Sequence, residues 1–187
     1  MKKAITLLLL LFVCEPWAET TTLLRMGLRE LASESHVIVY AQIAASRTEW
    51  NSERTWIYTV YTIHPLEYLK GQLGPVFELQ EPGGELDGLS MTVAGVPKLT
   101  VGEEAVLFVW SDRRGRHQLT GFQQGLFPVQ TDPRTGAKMV DRVIPLRFVQ
   151  TTAASDPQVR TTSPLLVDLL YQIRSSAAAP PRLPAAQ

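Results

Sequence analysis

The sequence predicts a mainly β protein, a small antiparallel OB-fold-like barrel with a short N-terminal helix and a C-terminal helix. Three observations carry that class. Between Thr55 and Trp110 strand-like runs (Trp56–Ile63, Val76–Gln80, Ala105–Trp110) alternate with glycine and proline turns, and nothing there has helical period. The run from Trp56 is long enough to continue to Leu69 and bend at Pro65. Helical patterns occur only before and after this stretch. About five strands, one bent and double-length, with flanking helices are the parts of an OB-fold; a β-sandwich is the alternative arrangement.

Taken in order, Lys2 and Lys3 precede the apolar run Ala4–Val13 and the small residue Ala18. That is the pattern of a secretory signal peptide over residues 1–18, and the run is about half of the ~20 residues a membrane-spanning helix needs. The expected compartment is therefore the periplasm or the exterior, without stable membrane insertion. Cys14 is the only cysteine. Val13 stands where a lipidation motif wants a small residue, so cleavage at Ala18 is the preferred reading. It leaves a chain with no disulfide, thiol nucleophile or cysteine-bound zinc. Removing two lysines and Glu15 from 18 basic and 18 acidic residues leaves a net charge near −1. Such a balance gives no field for nucleic acid.

One domain is expected over residues 19–150. Gly27 as N-cap, Glu30 three residues on and Met26 against Leu31 signal a short helix. Val37–Ile43 reads as a strand covered on both faces, and Arg47–Arg54 as its polar connection to the long strand. Pro82–Gly88 reads as a loop and Leu89–Val93 as a short extended run. Ala105–Trp110 is the central strand, Asp112–Arg116 a hairpin turn, and Asp132–Gly136 another turn. Met139–Val140 and Val143–Ile144 suggest a last strand pair. Residues 151–163 form a polar linker. Ser163-Pro164 is a cap followed by proline at the first helical position, and Leu166, Leu169, Leu170 and Ile173 then make a helical stripe, so a helix over 164–175 should pack on the barrel. The Ala/Pro tail, 176–187, is expected to be disordered.

Catalytic signatures are scarce. His36, His64 and His117 show none of the close spacing of zinc ligands. Ser90, in Gly88-Leu89-Ser90-Met91-Thr92, does not sit in a nucleophile elbow. The glycine-rich segment Glu81-Pro82-Gly83-Gly84-Glu85-Leu86-Asp87-Gly88 holds three carboxylates but lacks both Ca²⁺-loop and P-loop patterns. Arg113, Arg114 and Arg116 make the one basic patch, able to grip a carboxylate or phosphate. Trp50, Trp56, Tyr58 and Tyr61 supply either a stacking platform or core. The candidate binding residues are Glu81, Gly83, Gly84, Glu85, Asp87, Arg113, Arg114 and Arg116, with no catalytic set, metal or cofactor assigned.

In the order of its landmarks the chain resembles the netrin-like domains, including the N-terminal domain of the tissue inhibitors of metalloproteinases. Those landmarks are Ser35-His36-Val37-Ile38-Val39, Tyr68-Leu69-Lys70-Gly71, Phe77-Glu78-Leu79, Leu99 to Glu104 and the hairpin Gly115–Gly121. It is also similar to uncharacterised secreted bacterial proteins carrying Leu-Lys-Gly, Pro-Gly-Gly and Val-Gly-Glu. The resemblance covers Ser35–Val129 and implies an OB-fold module that engages another exported protein, with a metallopeptidase as the kind of partner. The inhibitors chelate zinc through an N-terminal cysteine. A chain starting near Glu19 has none, so that mechanism does not transfer. The expectation is a non-enzymatic binding module; the alternative is a metal-dependent or carboxylate-based hydrolase using Glu85, Asp87 and a histidine.

Overall fold

The computed structural model describes residues 25–141 and 164–177. The leader, the Val143–Ile144 strand, the linker and the tail from 178 lie outside the described residues. Within them the fold is mainly β and antiparallel, with two helices. No described helix is long and apolar enough to cross a membrane.

Two 14-residue strands, β1 (Val37–Trp50) and β2 (Ile57–Lys70), pair along their length. The sequence reading ended β1 at Ile43. Its polar continuation is also strand, because backbone pairing from Ala45↔Thr62 to Trp50↔Ile57 does not depend on side-chain polarity. The connection therefore shrinks to residues 51–56. Asn51 Oδ1 closes it by accepting the N–H groups of Thr55 and Trp56. Pro65 opposes Ala41 beside a register shift, a position where a residue without an N–H is tolerated.

The strands β3 (Phe77–Pro82), β4 (Gly84–Leu86), β5 (Leu89–Met91), β6 (Glu104–Ser111), β7 (His117–Leu119), β8 (Leu126–Thr131) and β9 (Lys138–Val140) complete the set. The main sheet runs β3-β2-β1-β6-β8-β9, with β7 also on β6. β7 and β8 follow the same edge of β6, separated by a 3-10 turn at Phe122–Gly125. β9 pairs with β8, Val129↔Val140. β4 and β5 form a separate two-stranded hairpin.

Alternation along the central strands splits the core. Val37, Val39, Ala41 and Ile43 of β1 pack with Tyr61, Ile63, Phe77, Leu79, Leu107, Val109 and Leu119 inside the curl of the sheet. Ile38 and Tyr40, with Val106, Phe108 and Phe127, face the helices α1 (Leu28–Glu34) and α2 (Leu166–Ala177), which contribute Leu31, Leu166, Leu169, Leu170 and Ile173. The curl brings β3 to β7, yet no strand ladder joins them. The expected barrel is thus a curled sheet with a seam.

Several landmarks are explained by this packing. Lys70 Nζ donates to the carbonyls of Ala32 at 2.6 Å and Ser35 at 2.7 Å, capping the end of α1. Gly71 has φ +62, and a Cβ there would sit 2.5 Å from the His36 carbonyl oxygen. α2 starts two residues later than the proline signal implies. Pro164 is still extended, its carbonyl accepting the Val140 N–H at 2.9 Å, and Leu165 bridges to Met139.

Candidate functional site

Phe77, Leu79 and Glu81 are the inward-facing residues of β3. The period of two that buries the first two buries the third, which is a carboxylate. Glu81 is 1% exposed. Its Oε1 accepts the Leu119 N–H at 2.6 Å, across the seam between β3 and β7. Its Oε2 is buried with no partner. Burial pushes the Glu81 carboxyl up to about 7, against the lowering effect of the Leu119 N–H. A buried, partly satisfied acid beside a cleft is a functional-site signal with a physical cause.

The cleft is the mouth of the curled sheet, about 600 Å³ in volume. Inward-facing Ser46, Thr48, Thr59, Tyr61 and Glu81 line its inner wall, while Met91, Val93, Val96 and Leu99 give apolar cover. Tyr61 is buried, and its hydroxyl accepts the Leu99 N–H at 3.3 Å, holding the connection between β5 and β6 over the mouth.

The segment read as a loop is strand and hairpin. Glu81 and Pro82 end β3, and the turn between β4 and β5 is only Asp87-Gly88. Both turn residues have positive φ, 53 and 77, as a two-residue hairpin with the twist of its strands requires. Within that segment the Asp-Gly dipeptide is the hairpin signal. Gly83 and Gly84 are there for space: a Cβ on Gly83 would lie 2.9 Å from the Met91 carbonyl oxygen, and one on Gly84 would meet Thr59 at 2.8 Å.

The candidate residues therefore separate. Glu81, Gly83, Gly84 and Glu85 line the mouth cleft. Asp87 is at the hairpin tip, accepting from Trp50 Nε1 at 2.9 Å and Arg54 Nη2 at 3.3 Å. Trp56 is 46% exposed and Tyr61 buried, so the aromatic residues do not make one platform. Large apolar side chains flank this Asp87 contact in the open, Trp56 on the β1–β2 connection and Leu89, 57% exposed, just after the hairpin turn.

Arg113, Arg114 and Arg116 stand on the exposed β6–β7 turn and none of them lines the mouth cleft. Asp112 organises that turn. It accepts the backbone N–H groups of Arg114 and Arg116 and pairs with Arg116 Nε at 2.7 Å. The histidines are dispersed as well. His36 Nδ1 accepts the Ser111 N–H, His64 is exposed on β2, and His117 Nδ1 lies 2.7 Å from Ser111 Oγ. Burial lowers the His117 pKa, opposed by the Asp112 charge. Among the described residues, no three of His, Cys, Asp and Glu are grouped as metal ligands would be.

No protein-family model matches the chain, and no curated protein is significantly similar to it.

Proposed function

We propose that the chain is a non-enzymatic binding module that engages another exported protein through the mouth cleft and the paired hairpin tips beside it. The observation that carries this reading is the Asp87 clasp. One carboxylate holds the β1–β2 turn, through Trp50 and Arg54, to the β4–β5 turn. The clasp fixes two tips that leave Trp56 and Leu89 open to solvent. Rigid aromatic and aliphatic anchors around a cleft are what protein recognition uses. The likeness to netrin-like domains makes a peptidase the first partner to try. Glu85, Asp87 and the histidines belong to different elements, so the hydrolase reading lacks a shared site.

The test is capture from the native exported fraction, with cross-links mapped by mass spectrometry. Cross-links should fall on residues 82–101, and Trp56→Ala with Leu89→Ser should abolish capture without moving the melting temperature. Turnover on a hydrolase panel, or capture indifferent to both substitutions, would overturn the proposal.

A further inference from the structure

Glu81 asks for a ligand of a particular chemistry. A fully buried carboxyl is costly unless both oxygens are hydrogen-bonded, and here only one is. An apolar side chain would serve an inward-facing strand position better, as Phe77 and Leu79 do four and two residues earlier. The cleft that Glu81 lines also presents the hydroxyl-bearing side chains of Ser46, Thr48 and Thr59 on the same inner wall.

We propose that the mouth cleft receives a lysine side chain of the partner protein, its ammonium held by Glu81 Oε2. This rests on the binding-module reading and names the group that the cleft takes. The arrangement selects ammonium over guanidinium. Oε1 already accepts the Leu119 N–H, so an arginine fork would have to share that oxygen with the backbone to bind both. A single oxygen suits a point donor. An ammonium has three N–H donors, and the same cleft wall offers the hydroxyl oxygens of Ser46, Thr48 and Thr59 as acceptors, the last two while they donate to the Glu85 and Gly83 carbonyls. Met91, Val93, Val96 and Leu99 flank the path, cover of the kind that the four-carbon stem of lysine packs against. Oε2 is covered as the chain stands, so entry displaces part of the cover formed by the β4–β5 hairpin and the connection after it.

The other titratable groups lining the cleft with Glu81 are Tyr61 on β2, Glu85 on β4 and Lys98 on the connection, and His117 stands on β7 two residues before Leu119. Burial raises Tyr61 above its usual value and lowers His117, which leaves both neutral at pH 7–8. Lys98 is exposed. Glu81 is therefore the group that changes charge when a cation enters. With its free pKa about 7, binding at pH 6 should release close to one proton, and binding at pH 8.5 almost none. Apparent affinity should rise about tenfold from pH 6 to pH 8.

The experiment titrates the full chain with Nα-acetyl-lysine N-methylamide by calorimetry, in two buffers of different ionisation enthalpy. The Glu81 carboxyl is followed by ¹³C NMR, with and without the probe. Expected results are saturable binding, proton release at pH 6, a lowered Glu81 pKa in the bound form, and binding at least tenfold weaker for the Nε-acetylated and arginine analogues. Glu81→Gln should abolish the proton release. Because the carboxyl titration uses the unaltered chain, the proposal stays testable even if that variant folds poorly. Equal binding of the acetylated analogue, no probe effect on the Glu81 titration, or a rise of the Glu81 pKa in unliganded Lys98→Met would overturn it. The last result would make Lys98 the carboxylate's own counter-ion. Capture that persists in Glu81→Gln but is lost in the Trp56/Leu89 variant would sink this inference and leave the binding-module reading standing.

Discussion

Glu81 Oε1 on β3 and the Leu119 N–H on β7 are joined by a 2.6 Å hydrogen bond across a seam that no strand ladder closes. A side chain stands in for backbone pairing there, and it is a side chain that can change its charge.

Stability should consequently fall as pH rises through neutrality. The folded-state pKa of Glu81 is raised to about 7 from an ordinary 4.5. The folded state binds more protons than the unfolded state between those values. The contribution is whole below pH 4.5, is lost progressively through pH 7, and amounts to roughly 3 kcal/mol. Denaturant titrations from pH 4 to pH 9 measure it. Glu81→Gln should flatten this part of the profile and be the more stable form at pH 9.

Lys70→Met should cost about 1–3 kcal/mol, because it withdraws charged hydrogen bonds from the carbonyls at the end of α1. Amide exchange should show Ser35 and the last turn of α1 opening faster while the protection of β6 is unchanged.

Gly71→Ala and Gly88→Ala form a matched pair. Both positions have positive φ, but a methyl at Gly71 meets the His36 carbonyl at 2.5 Å, while at Gly88 nothing lies within 4 Å. The first should cost several kcal/mol and the second about 1 kcal/mol. Chemical denaturation of the two variants decides this, and equal losses would contradict it.

Leu169→Ala should destabilise by about 2–5 kcal/mol, since Leu169 is fully buried among residues of both helices and the sheet. Tyr171→Ala, on the same helix but 69% exposed, should stay within about 0.5 kcal/mol of the parent. Thermal unfolding of both variants tests that the helix is held by one face.

The sequence alone settled what depends on local pattern and on the solvent preference of each residue. The β class, the bent long strand through Pro65, the central strand ending at Trp110 and the two helices all follow from apolar period and turn chemistry, which need no partner to be read. The apolar stripe Leu166–Leu169–Leu170–Ile173 was legible for the same reason. Tertiary structure decided the rest. Residues 47–50 look like part of a polar connection, yet they are strand, because β2 supplies backbone partners that side-chain polarity does not reveal. Residues 84–88 look like part of a loop, yet with the extended run Leu89–Met91 they form a hairpin around Asp87-Gly88. The three carboxylates Glu81, Glu85 and Asp87 read as one cluster along the chain. In space the strand period turns Glu81 inward to Leu119, while the hairpin carries Asp87 out to Trp50 and Arg54. Nearness in sequence fixes only which groups travel together. Burial, and with it the charge state of Glu81, depends on what the curl of the sheet brings from far along the chain.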